Sequence, residues 1–254
     1  METFPVPPTL VERSVHRFAR AHRESRRAPG VPARVITVSR ELGSGGRIIA
    51  SLLAQRLGWQ LWDREILDVL ASQSGQRFQA SMFETLDERS QSEVFALVSS
   101  LFNQIDKHEY FYLLPKALLL IAHSDAVILG RGGHILLPNA FRVRIKATLE
   151  RRVSNLVQFE NYAEDEACAA VARMDKERAR FLRELQHHLG IPKRARFEYD
   201  LELLTDSISN EAAAQAIVAA AQSKLGLARP AADLPVRAAF EAAAAFVAAP
   251  FASF

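Results

Sequence analysis

Gly43, Gly45 and Gly46 fall within four consecutive positions, flanked by Arg40 and Arg47. Glycines this dense let successive backbone N–H groups turn toward one point, and a helix that follows adds about half a positive charge there. The chemistry such an arrangement suits is the binding of a polyphosphate. The elements that would position it are legible on either side. Val35-Ile36-Thr37-Val38 is a β-branched run of strand length, and Ile48, Ile49, Leu52, Leu53 and Leu57 recur at helical spacing. Strand, glycine loop and helix place Gly43, Ser44, Gly45, Gly46 and Arg47 at the carboxyl end of a strand, where open α/β sheets bind ligands.

The loop departs from the common phosphate-binding pattern G-x-x-x-x-G-K-[ST]. With Gly45 as the last glycine of that pattern, Gly46 stands at the lysine, Arg47 at the metal-ligating hydroxyl and Arg40 at the first glycine. One cation and one metal ligand are missing, and two arginines are present. Arg40 or Arg47 is expected to supply the lost charge, since a guanidinium binds phosphate bidentately.

Further along, Gln60-Leu61-Trp62 reads as a short strand ending on Asp63-Arg64-Glu65. Ala126 to Leu129 is a third strand, ending on Gly130-Arg131-Gly132-Gly133, Phe141 to Ile145 a fourth, and Leu201 to Leu204 a fifth. Residues 66–123 read as helices interrupted at Gly75 and Pro115. Leu149 to Phe159 is a helix, Glu164 to His188 a charged helix or helix pair, and Ser209 caps a helix running to about Leu225. Strands alternating with helices predict an α/β fold with a parallel sheet covered on both faces.

Composition bounds the rest. The chain has 254 residues, 49% hydrophobic and 24% charged, which excludes pervasive disorder. One cysteine, Cys168, excludes an intramolecular disulfide framework. No long uncharged apolar run and no secretory leader are evident, so a cytoplasmic protein without a transmembrane segment is expected. Residues 1–34 hold seven arginines against three glutamates, so the basic surplus belongs to this arm, and the near-neutral body does not suggest nucleic-acid binding. Leu10, Val11, Val15, Phe18, Ala19 and His22 give the arm an amphipathic pattern. It is read as packing on the body or on a second copy, against the alternatives of a membrane-surface helix and of disorder. Residues 227–254 are alanine-rich, with Phe240, Ala244 and Val247 on one helical face. The terminal helices are thus one route to a homo-oligomer.

Several of these segments together resemble the cytidylate kinase-like family, a divergent branch of the P-loop nucleoside monophosphate kinases. The resemblance runs through VITVSRELGSGGRIIASLLAQRL at 35–57, LGWQLWDREIL at 57–67, VILGRGGHILL at 127–137, MDKERARFLREL at 174–185 and YDLELLTDSISNEAAAQAI at 199–217. It implies a three-layer P-loop fold with a five-stranded parallel sheet over 35–226, a helical acceptor-side insertion at 66–123 and a helical lid at 164–188. It implies ATP-dependent phosphoryl transfer to a nucleoside monophosphate, CMP or dCMP first, with Mg2+. Such catalysis is positioning and charge neutralisation. Arg178, with Lys176 and Arg180, is then expected to supply catalytic cations from the lid, and Arg64 and Arg131 to clamp the acceptor phosphate. Asp63 has two compatible readings, a water-bridged magnesium ligand and a helix cap. Gly132 replaces the aspartate of true cytidylate kinases that would bond a sugar hydroxyl, so weak sugar selectivity is expected. Ser81, Asp87, Arg89 and Gln91 are polar candidates for reading the base, while His108, His123 and His134 are read as structural, and His187-His188 as pointing apart on a helix. Two other functions stay open: a catalytically degenerate nucleotide-binding regulatory module on the same fold, and a kinase of another small molecule.

Overall fold

The computed structural model describes residues 13–18, 20, 33–72, 76–84, 86, 91, 92, 94 and 109–227. Five strands make one parallel sheet: β1 (Val35–Arg40), β2 (Gln60–Trp62), β3 (Ala126–Leu129), β4 (Phe141–Lys146) and β5 (Leu201–Leu204), in the order β2-β3-β1-β4-β5. The predicted strands and their number are thus found. The described helices are α1 (Gly46–Leu57), α2 (Arg64–Leu70), α3 (Gln76–Glu84), α4 (Glu109–Ile121), α5 (Gly133–Leu136), α6 (Leu149–Glu160), α7 (Glu164–His188) and α8 (Asn210–Leu225).

The continuous apolar runs of β1 and β3 follow from burial on both faces. Ile36, Val38, Val127 and Leu129 pack with Ile49 and Leu53 of α1 and Ile217 of α8. Val35, Ala126 and Ile128 pack on the opposite face, in a core that includes Trp62, Leu67 of α2, Leu118 of α4 and Leu185 of α7. β4 instead alternates, with Phe141, Val143 and Ile145 buried and Arg142, Arg144 and Lys146 partly exposed. The result is the three-layer P-loop architecture.

Local signals set most helix ends. The Asp63 carboxylate accepts from Ile66 N–H at 3.2 Å and caps α2, and the Ser209 hydroxyl accepts from Ala212 N–H at 3.1 Å and caps α8. Gly58, at φ +67, closes α1. Pro115 does not interrupt the chain as expected but lies inside α4. Apolar packing of Leu113, Leu114, Ala117, Leu118, Leu120 and Ile121 holds that helix together across the missing N–H. The charged stretch at 164–188 is one uninterrupted helix of 25 residues.

Val15 and Phe18 of the arm are buried against the body, with the Phe18 ring edge-on to Trp62 at 6.4 Å. The expected helix within 227–254 lies outside the described residues, apart from Leu227, as do Asp87, Arg89 and His108. Among the described residues no helix is long and apolar enough to cross a membrane.

Candidate active site

The chain leaves β1 by following β4 for one more residue, through Glu41 N–H to the Ile145 carbonyl at 3.1 Å, and then turns. The Ser44 hydroxyl closes the turn by donating to the Glu41 carbonyl at 2.8 Å. Gly43 and Gly45 take φ of +77 and +74, the left-handed region that a side chain disfavours. At Gly43 a Cβ would also meet the carbonyl oxygen of Arg152 at 2.4 Å.

Three successive loop carbonyls are held from outside. Leu42 C=O accepts from Arg152 Nε at 2.7 Å, Gly43 C=O from Asn155 Nδ2 at 2.7 Å, and Ser44 C=O from Thr205 Oγ1 at 2.9 Å. The carbonyls are thus engaged by α6 and the end of β5, while Ser44 N–H turns back to the Glu41 carbonyl at 3.4 Å. Gly45 caps α1 without any side-chain bond, so the first amides of that helix have no side-chain partner there. Arg152, Asn155 and Thr205 were not singled out from sequence. They lie more than a hundred residues from the loop carbonyls they bind, and no local pattern marks them.

The loop's missing lysine has a steric explanation. A Cβ on Gly46 would stand 2.4 Å from the Arg40 Cβ and 3.0 Å from its Cγ. Arg40 therefore fills the space into which a side chain at position 46 would start. Its guanidinium continues to Gly130 at the end of β3, where an added Cβ would meet Nη1 at 2.3 Å. Burial, with the charge of Arg178 second, lowers the Arg40 pKa to about 9, leaving it protonated at neutral pH.

Arg178 donates from Nη1 to the Arg40 carbonyl at 2.7 Å. Its pKa is lowered to about 10, chiefly by burial. It is aimed inward because α7 is anchored beside it, where Asp175 holds both guanidinium ends of Arg152 at 2.9 and 2.7 Å. Of the other two cations expected from this helix, Lys176 is exposed, and Arg180 is bonded to Glu184 at 2.7 Å on the exposed face. The helix brings Arg178 to the loop and turns Arg180 away from it, because neighbours two positions apart do not share a face.

Arg64 and Arg131 converge on one carboxylate. Asp68 pairs with Arg131 through Oδ2, lies 3.6 Å from Arg64 Nε, and accepts from the Tyr110 hydroxyl at 2.7 Å through Oδ1. Arg131 adopts φ +49, uncommon for a residue with a side chain. Its guanidinium lies over the Phe181 ring at 4.8 Å, and its Nε is buried without a partner. Arg64 and Arg131 also lower the Arg40 pKa while Glu65 raises it, so the four arginines Arg40, Arg64, Arg131 and Arg178 gather near the loop with Glu65 and Asp68 among them. Gly132, at φ +70, takes a backbone conformation that a side chain disfavours, and a Cβ there would push on the Leu185 side chain, whose Cδ2 lies 2.2 Å away.

Arg47 lies elsewhere. Its Nη2 is 3.2 Å from Asp63 Oδ2 and 3.4 Å from Glu65 Oε2. Burial, then the neighbouring Glu65, raises the Asp63 pKa above its ordinary value. This donor set does not fit a protein-held magnesium ion. The hydroxyl position carries a cation, the nearest buried carboxylate is shared between that cation and a helix cap, and Gly130-Arg131-Gly132-Gly133 offers no acid after β3. Among the described residues no group of three or more His, Cys, Asp or Glu side chains could hold a metal ion.

The remaining polar candidates are structural or peripheral. Gln91 donates to the Phe83 and Leu86 carbonyls at 3.4 and 2.9 Å, and Ser81 is exposed on α3. His134 is buried, stacked on Tyr199 at 5.0 Å, with Nδ1 3.2 Å from Ser39 Oγ. Burial first, then Arg144 and Arg142, lowers its pKa to about 4.

The parallel sheet, the glycine loop at its carboxyl edge and the arginines around it define a kinase-like P-loop protein. The sequence profile of the cytidylate kinase-like family matches residues 35–207, and the chain belongs to that family. Among solved structures, an uncharacterized protein from Eubacterium ventriosum ATCC 27560 is similar at 21% identity and a TM-score of 0.52, over 75% of this chain and 98% of its own. A shikimate kinase from Bacteroides thetaiotaomicron is similar at 14% identity and a TM-score of 0.40, over 76% of this chain and 99% of its own. The former likeness bears on the fold alone. No curated protein matches the chain.

Proposed function

We propose that the protein transfers the γ-phosphoryl group of ATP to a nucleoside monophosphate, with CMP and dCMP the first acceptors to test. The observation that carries this reading is the gathering of Arg40, Arg64, Arg131 and Arg178 beside the glycine loop. Four cations gathered here outnumber Asp68 and Glu65 among them, and a bound polyanion would relieve the remaining repulsion while the cations neutralise its charge. In the reaction an oxygen of the acceptor phosphate forms a bond to the γ-phosphorus. The bond from that phosphorus to the β–γ bridging oxygen breaks, and ADP leaves. The acceptor oxygen is already ionised, so no general base is needed, and the protein's part is alignment and neutralisation.

The loop amides would hold the β- and γ-phosphates, with Arg40 supplying the charge in the space where a lysine would start. Arg178, between α7 and the loop, would neutralise the group in transfer. Arg64 and Arg131 would hold the acceptor phosphate, which replaces the Asp68 carboxylate between them. Such a kinase would work on the nucleotide pool of the cytoplasm. The test is turnover of ATP with a panel of nucleoside monophosphates, with and without magnesium. Turnover limited to cytidine acceptors supports the full reading, and turnover with other bases only would reassign the acceptor. A second reading has its own support, because the loop lacks both the lysine and the metal-ligating hydroxyl. ATP binding without turnover of any acceptor would favour that reading, a nucleotide-binding regulatory module.

A further inference from the structure

We infer that Arg47 takes the place of a divalent cation at the phosphate loop, so that the protein binds a nucleoside triphosphate without a protein-held metal. The inference rests on the loop being a triphosphate site, as proposed above. Arg47 is the second residue of α1 and occupies the position of the hydroxyl that ligates the metal in the common loop. It carries a positive charge where that loop would carry a metal ligand. The partners of the guanidinium are acids a metal would need. Asp63 at the end of β2 lies 3.2 Å from Nη2, and Glu65 lies 3.4 Å from the same nitrogen. Asp63 gives its other oxygen to the cap of α2. A metal brought to this carboxylate would have to displace a covalently tethered cation of like charge.

Both ion-pair contacts fall on Nη2, the charge of Arg47 also acts on Glu160, and its side chain is 58% exposed. A guanidinium offers five N–H donors, and a phosphate would be met by those on Nε and Nη1 while Nη2 stays on Asp63. The arrangement links the loop and the end of β2 through one organic cation. That is the bridging role a metal ion plays between phosphates and an acid. Because the charge is tethered, it is present at every magnesium concentration.

The test measures ATP binding to the full chain by calorimetry, once in EDTA and once in saturating magnesium. The expected dissociation constants differ by less than about fivefold, well inside the effect of one lost charge-assisted bond. Arg47→Thr restores a metal-ligating hydroxyl and frees Asp63. It is expected to weaken binding in EDTA by roughly tenfold or more and to bind distinctly better with magnesium than without. A wild-type preference for the magnesium form larger than about fivefold overturns the inference while leaving the kinase reading in place. The inference also fails if Arg47→Thr keeps the wild-type ratio, provided its thermal unfolding shows the variant folded. An unfolded Arg47→Thr is replaced by Arg47→Gln, which keeps most of the side chain and must lose affinity in EDTA. Absence of ATP binding in both conditions overturns the triphosphate site itself, and the inference with it.

Discussion

Restoring the lysine of the common phosphate loop should damage this protein. Gly46 is not among the positive-φ glycines, so its backbone tolerates a side chain and the obstacle is purely spatial. The obstacle is the Arg40 Cβ at 2.4 Å and Cγ at 3.0 Å from a Cβ at position 46. The Cβ is set by the backbone and cannot swing aside, because β1 is fixed by pairing with both β3 and β4. Forcing extra atoms into a packed site typically costs about 1–3 kcal/mol. For a domain of this size that corresponds to a melting temperature lower by roughly 2–12 °C. Gly46→Ala should show most of the loss, since the clash is with Cβ, and Gly46→Lys at least as much. The common loop carries glycine where Arg40 stands, so Arg40→Gly should remove the obstacle. The double variant Arg40→Gly/Gly46→Lys is expected to melt above Gly46→Lys and to bind ATP more tightly than Arg40→Gly. Thermal unfolding of the four proteins forms a double-mutant cycle, in which a coupling of at least ~1 kcal/mol is expected for residues in contact. A Gly46→Ala variant as stable as wild type, or a double variant no more stable than Gly46→Lys, would refute the exchange of positions.

Buried His134 should make stability depend on pH. Its folded pKa is near 4 against an ordinary 6.5, so between those values the unfolded chain binds a proton that the native state refuses. Stability should therefore fall as pH drops from about 6.5 toward about 4, by on the order of 2–3 kcal/mol from this residue. Urea unfolding of wild type and His134→Gln across that range should show the difference between them closing at acid pH, and parallel curves would exclude His134. Arg131→Ala should raise the KM for the acceptor roughly ten- to a hundredfold with ATP affinity little changed, and steady-state kinetics with each substrate varied would show a different pattern if Arg131 served only the fold. With glycine at position 132, kcat/KM for CMP and dCMP should agree within about tenfold, and a preference of several orders of magnitude would point to another group reading the sugar. Thr205→Val and Asn155→Ala should each lower stability by ~1 kcal/mol and weaken ATP binding, since each frees a loop carbonyl. Denaturant midpoints together with calorimetry would separate the two effects.

What the sequence determined by itself was everything carried by short-range pattern. The five strands are legible because β-branched or alternating runs end on turn residues. The caps at Asp63 and Ser209 and the stop at Gly58 are legible because each acts within one helical turn. The glycine loop is legible because Gly43 and Gly45 are needed where φ is positive. Where tertiary packing competed with local preference, local preference lost, as at Pro115, which the apolar face of α4 absorbs. The choice between Arg40 and Arg47 could not be made from sequence, because both flank the same glycines. The sheet order gives the two different surroundings. β3 lies beside β1, so Gly130 leaves room for the Arg40 guanidinium, while the end of β2 presents Asp63 and Glu65 to Arg47. Of the three cations expected from α7, the anchoring of Asp175 on Arg152 set which one faces the loop. The ties from Arg152, Asn155 and Thr205, the convergence of Arg64 and Arg131 on Asp68, and Leu185 filling the space at Gly132 all join residues remote in the chain. Periodicity and spacing report on neighbours along the chain, whereas these contacts exist only once strand order and helix packing bring distant side chains together.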